Sequence, residues 1–149
     1  MTSPVRVGII DSGVAEKARN LVHAVRRFEA TDGQIVEAEA TDDRVGHGTE
    51  LTRQIAEAAP NAEIFHAQVF GEKFTARPAL VAAGLDWLRD MKVQIVNMSF
   101  GMPRDHPGLR AACERAVKSG ILLVASAPAQ GKPVYPAAWP DVIAVTGDA

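Results

Sequence analysis

The chain has 149 residues, 47% of them hydrophobic and 23% charged, with a formal net charge of −2. That length is enough for one domain, residues 1–149, with a real core, and the charge gives no electrostatic ground for nucleic acid or an anionic membrane as partner. A single cysteine excludes an internal disulfide, no apolar run is long enough to span a membrane, and the first residues lack the pattern of a signal peptide.

Short apolar runs alternate with helical ones, which predicts a mostly parallel α/β sheet. Val5–Ile10 reads as a strand ending at Asp11. Leu21–Val25 and Gln34–Glu37 read as strands on either side of a Thr31-Asp32-Gly33 turn. A helix opens near His47 with Leu51, Ile55 and Ala58 on one face, and Pro60 marks its end. Ala62–Phe70 alternates as a strand does. Pro78 opens the next helix, which is expected to bury Val81, Leu85 and Leu88. Val93–Met98 is a buried strand. Leu109, Ala112, Cys113, Ala116 and Val117 make the cleanest helical stripe, stopped by Gly120. Ile121–Val124 and Val142–Val145 complete the pattern.

Two segments carry chemistry. Ile10-Asp11-Ser12-Gly13 places a carboxylate at the end of an apolar strand, and Gly46-His47-Gly48-Thr49 places an imidazole at the mouth of a helix. Strand carboxyl ends are where sites gather in open α/β sheets. A buried aspartate beside a histidine fixes its tautomer and stabilises the imidazolium formed when it takes a proton. The glycines flanking His47 are expected to keep the ring clear of bulky neighbours. Each residue also has a plain reading: Asp11 as a turn-capping aspartate and His47 as an ordinary first residue of a helix.

With two further segments, Ile95-Val96-Asn97-Met98-Ser99-Phe100-Gly101 and Tyr135-Pro136-Ala137 through Val142-Ile143-Ala144-Val145, the chain resembles the subtilisin-like serine proteases, or subtilases. The resemblance implies a three-layer α/β fold with helices on both faces of a mostly parallel sheet, incomplete at its C-terminal end. It implies catalytic roles for Asp11 and His47, and a substrate-binding edge at Ser99, Phe100 and Gly101, where a peptide adds itself as a strand. A purely structural strand end is the plainer alternative for those three residues. Peptide or protein is then the expected substrate, with no cofactor.

The chain departs from the family at three places. The nucleophilic serine is expected beyond residue 149, so these residues alone are expected to be inactive. Ala129 stands where the family carries its oxyanion asparagine, a donor whose loss in subtilisin costs about 10²–10³ in turnover. Gln130, Ser126 or a backbone N–H are the candidates to replace it. Thr52-Arg53 stands where the family usually has small residues.

No His, Cys, Asp and Glu cluster has metal-site spacing. Asp42-Asp43 could hold calcium weakly, a solvated acidic loop being the plainer reading. His23, His66 and His106 read as surface or satisfied core, and Cys113 as a small hydrophobe. The chain opens only a few residues before its first strand, so no leader or pro-segment is expected. The expected role is that of a cytoplasmic enzyme that matures one partner peptide. The alternatives are a non-catalytic relative that binds a peptide or partner, and a flavodoxin-like domain whose Asp-Ser-Gly turn holds a phosphate or a small ligand.

Overall fold

A computed structural model describes residues 3–73, 75 and 77–147. Its centre is β1 (Arg6–Asp11), a run of small and branched apolar residues buried from Val7 onward. Parallel neighbours flank it, β4 (Glu63–Gln68) on one side and β5 (Ile95–Met98) on the other. With β2 (Ala24–Thr31), β3 (Gln34–Glu39), β6 (Leu122–Ser126) and β7 (Val142–Val145), the seven-stranded order is β3-β2-β4-β1-β5-β6-β7. Every pairing is parallel except the β2–β3 hairpin.

Three helices follow the expected positions: α1 (His47–Ala58), α2 (Pro78–Asp90) and α3 (Pro107–Lys118). Successive strand residues point to opposite faces, and β4 shows which helix takes which face. A Cβ on Gly84 of α2 would lie 3.0 Å from Ala67, whereas one on Gly48 of α1 would lie 3.0 Å from the ring of His66. The sheet therefore has helices on both faces. Helix α3 packs beside α2, joined at the surface by Arg115 and Asp86 at 3.0 Å. Val81, Leu85 and Leu88 are fully buried, as are Leu109, Ala112 and Ala116, while Cys113 is nearly so. Each large side chain among them contributes about 1.5–3 kcal/mol.

The structure corrects two expectations. Leu21 ends a short 3-10 helix, Glu16–Leu21, and the strand starts at Ala24 and runs on through Arg26, Arg27 and Glu29. Those charges hide the strand in the sequence because they belong to a solvated edge hairpin, where Arg26 pairs with Glu37 at 3.3 Å and Arg27 pairs with Glu29. Asp32 and Gly33, both at positive φ, make the two-residue turn. In α1, Leu51 and Ile55 are only half-buried and Ala58 is exposed. The buried side of this helix is Gly48, Thr49 and Thr52, small residues that allow close approach and hydroxyls that find partners beneath.

Beyond β1 the α1 side of the sheet is barely covered. Register places Ile143 beside Val124 and Val145 beside Ser126, and Leu122, Ile143 and Val145 are 55%, 48% and 49% exposed. These apolar side chains form one face with the half-buried Val124.

Candidate active site

Asp11 and His47, 36 positions apart, meet at the carboxyl end of β1. Nδ1 of His47 lies 2.9 Å from both carboxylate oxygens of Asp11. A carboxylate only accepts, so Nδ1 carries the proton and Nε2 is the basic nitrogen. Asp11 is 0% exposed and the His47 side chain 41% exposed, so the acid sits beneath and the imidazole faces the surface. Burial raises the Asp11 carboxyl above its ordinary value, and hydrogen bonds from His47 and the Ser12 amide offset only part of that.

Contacts between the loop after Asp11 and the first turn of α1 hold the pair. Gly48 N donates to Ser12 Oγ at 2.9 Å, and a Cβ on Gly48 would lie 2.4 Å from the Gly13 carbonyl oxygen. Gly48 is thus required by the loop after Asp11, rather than to keep the ring clear. Gly46 is required by its backbone, at φ 92° in the left-handed region.

Asp43 organises the start of α1. Its Oδ1 accepts from the amides of Val45 and Gly46, and its Oδ2 from the Thr49 amide at 3.0 Å and the Thr49 hydroxyl at 2.6 Å. Burial pushes this carboxyl up, but those hydrogen bonds outweigh it and leave it below its ordinary value. In the acidic loop weighed for calcium, both Asp43 oxygens thus serve the chain's own donors, and Asp42 accepts from the Glu16 amide. Among the described residues no group of three or more His, Cys, Asp and Glu could hold a metal ion.

Because β1, β5 and β6 run parallel, the segments after β5 and β6 share the end of the sheet where Asp11 lies. Ser99 is half-buried and accepts from Asn97 Nδ2 at 2.8 Å. Phe100 turns inward, edge-on to Phe70 at 5.3 Å. The space at Gly101 is taken by Val134, 2.8 Å from where a Cβ would stand. Ala129 lies exposed in a bend after β6 beside the exposed Gln130, and Ser126 is exposed at the strand's end. An alanine side chain offers no donor there. A cleft of about 760 Å³ opens next to Ser12, its wall formed partly by Thr41, Gln68 and Arg44.

The other histidines have structural partners. His23 pairs with Glu63 at 3.1 Å, His106 caps α3 by accepting from the Leu109 amide at 3.3 Å, and His66 is fully buried. Sequence reasoning missed the contributions of Ser12, Asp43, Thr52 and Gln68, whose Nε2 donates to the Ser12 carbonyl at 3.0 Å. Asp43 alone left a signal, as an aspartate shortly before a helix start.

The family model described as the Subtilase family matches residues 2–148. The chain is 30% identical over 161 residues to the major intracellular serine protease of Bacillus subtilis (strain 168), covering 95% of this chain and 50% of that protein. It is 30% identical over 156 residues to subtilisin DY of Bacillus licheniformis, covering 95% and 55%. Against subtilisin Savinase of Lederbergia lenta the identity is 27% over 154 residues, covering 96% and 55%. The chain spans about half the length of these relatives.

Proposed function

This chain belongs to the subtilase family, and from that membership we propose that Asp11 and His47 are the acid and base of a serine endopeptidase centre. The serine comes from outside these 149 residues. One observation carries the reading: the 2.9 Å contact between a fully buried carboxylate and an imidazole whose side chain is 41% exposed. His47 Nε2 takes the proton of the serine hydroxyl as its oxygen attacks the peptide carbonyl, and returns that proton to the departing amine. Asp11 stays ionised throughout and stabilises the imidazolium.

The exposed apolar face of β6 and β7 supports this reading, since it lies on the α1 side of the sheet. A segment bringing a nucleophile to His47 has to pass over that side. Ser99, Phe100 and Gly101 form the edge against which the substrate backbone lies. The position of Ala129 calls for another donor in the oxyanion hole, from Gln130, Ser126 or a backbone amide. The substrate is a peptide or protein, and we place the enzyme in the cytoplasm, with the maturation of a dedicated partner peptide as its task. A relative whose name is major intracellular serine protease supports that location.

A fluorophosphonate probe tests the centre. It should label the chain joined to a serine-bearing remainder and lose that label in His47→Ala. Labelling that persists in the variant removes the acid–base assignment. The second reading, a non-catalytic domain that binds a peptide or partner, is favoured by Ala129. It predicts peptide binding with no labelling at all.

A further inference from the structure

Beneath the pair lies a buried imidazole with both ring nitrogens engaged. His66, in β4, is fully buried on the face of the sheet that carries α1. Its Nε2 accepts the Gly13 amide at 3.0 Å. An accepting Nε2 puts the proton of a neutral ring on Nδ1, and Nδ1 lies 3.2 Å from Thr52 Oγ1. The Thr52 hydroxyl in turn donates to the Gly48 carbonyl at 2.7 Å. The chain of donors and acceptors closes without conflict: Gly13 to His66, His66 to Thr52, Thr52 to Gly48.

The two ends of this chain are the ones that matter to the site. Gly13 is two residues after Asp11, and Gly48 is the residue after His47. The His66 ring also lies under the first turn of α1, with Cε1 3.0 Å from where a Cβ on Gly48 would stand. Burial pushes the imidazole down to about 3, although the Asp43 carboxylate works the other way. The ring is therefore neutral at physiological pH and keeps one acceptor and one donor. A protonated ring would set two N–H groups against each other at Gly13.

We propose that His66 is a positioning residue for Asp11 and His47, tying the loop behind the acid to the helix that carries the imidazole. Its value for catalysis rests on the endopeptidase reading; its effect on the pair can be measured without any turnover. Thr52 belongs to the same device, and its place among small-residue positions in the sequence gains a reason, because only a hydroxyl serves His66 and Gly48 together.

The test is proton NMR on the chain, following exchange of the His47 Nδ1 proton with solvent relative to core amides such as that of Val96. In His66→Leu this exchange should quicken by about tenfold relative to the core, as expected for losing one net hydrogen bond. His66→Gln should restore it, because its carboxamide can accept from Gly13 and donate to Thr52. A folded His66→Leu variant with unchanged relative exchange overturns the proposal, and so does equal quickening at His47 and the core. If His66→Leu does not fold, Thr52→Val carries the test with the same two outcomes. Asp11→Ala separates the underlying reading, because alanine offers no acceptor: an unaltered His47 proton there means that no acid–imidazole pair exists, and the proposal falls with it.

Discussion

A methyl group added to Gly48 would stand 2.4 Å from the carbonyl oxygen of Gly13, so the helix bearing His47 rests backbone to backbone on the loop that follows Asp11. Nothing there can yield as a side chain would. Gly48→Ala should therefore destabilise the fold by about 1–3 kcal/mol, the ordinary cost of overpacking a tight contact. Gly46→Ala meets no neighbour within 4 Å, and its cost of about 1–2 kcal/mol comes from the left-handed backbone alone. Urea denaturation followed by circular dichroism checks both, and only Gly48→Ala should also disturb the His47 Nδ1 proton.

Asp43 serves four donors at the start of α1. Its removal in Asp43→Ala should cost about 1–2 kcal/mol or more at pH 7, in the range of a lost helix cap and its satisfied donors. Its carboxyl is held below the ordinary value of 3.8, so its contribution is present above that pH and is lost as pH falls further. The gap between Asp43→Ala and the parent chain should narrow in urea titrations carried out near pH 3.

His66 gives stability a second pH dependence. Its folded value of about 3 lies below the ordinary 6.5, so the unfolded chain binds the extra proton between those limits. Stability from this group is fully present above 6.5 and falls by up to about 1.4 kcal/mol per pH unit below it. Asp11 acts with the opposite sign: its raised carboxyl favours the protonated folded state and loses stability as pH rises above 3.8. Replacing His66 with glutamine should flatten the slope of unfolding free energy between pH 6 and pH 4, and an unchanged slope contradicts a neutral buried ring.

Under the proposed endopeptidase reading, turnover by the chain joined to a serine-bearing remainder should respond at two positions. Asp11→Asn is expected to lower kcat by about 10⁴-fold, the size of loss the triad aspartate carries in subtilisin. Ala129→Asn should raise kcat by up to about 10²-fold if the oxyanion hole lacks a strong donor. No gain would mean that another group already fills the role. Steady-state kinetics on a chromogenic peptide reads both.

The elements that position the pair were legible because β1 and the glycines around His47 are local patterns. Asp11 ends an apolar run, and His47 opens a helix whose range follows from Pro60 and the spacing before it. The support beneath them was not legible. Ser12 meets Gly48 across 36 positions, His66 meets Gly13 across 53, and neither contact leaves a periodic trace. The face of α1 was misread for a related reason. Leu51 and Ile55 follow a helical spacing, but the close approach demanded by Gly13 puts Gly48, Thr49 and Thr52 inward. The charges of β2 similarly concealed a strand one place in from the sheet's edge, where Arg26 stays exposed and Arg27 is half-buried.

Cys113 gives this chain a built-in clock. It is the sole thiol, seated between α3 and the core, and burial with the neighbouring Glu114 pushes it up to about 12. A maleimide therefore finds almost no thiolate until α3 lifts away, so the rate of alkylation counts openings of the fold. Each substitution discussed above can be ranked by that rate on unmodified protein, with no dye or second cysteine introduced.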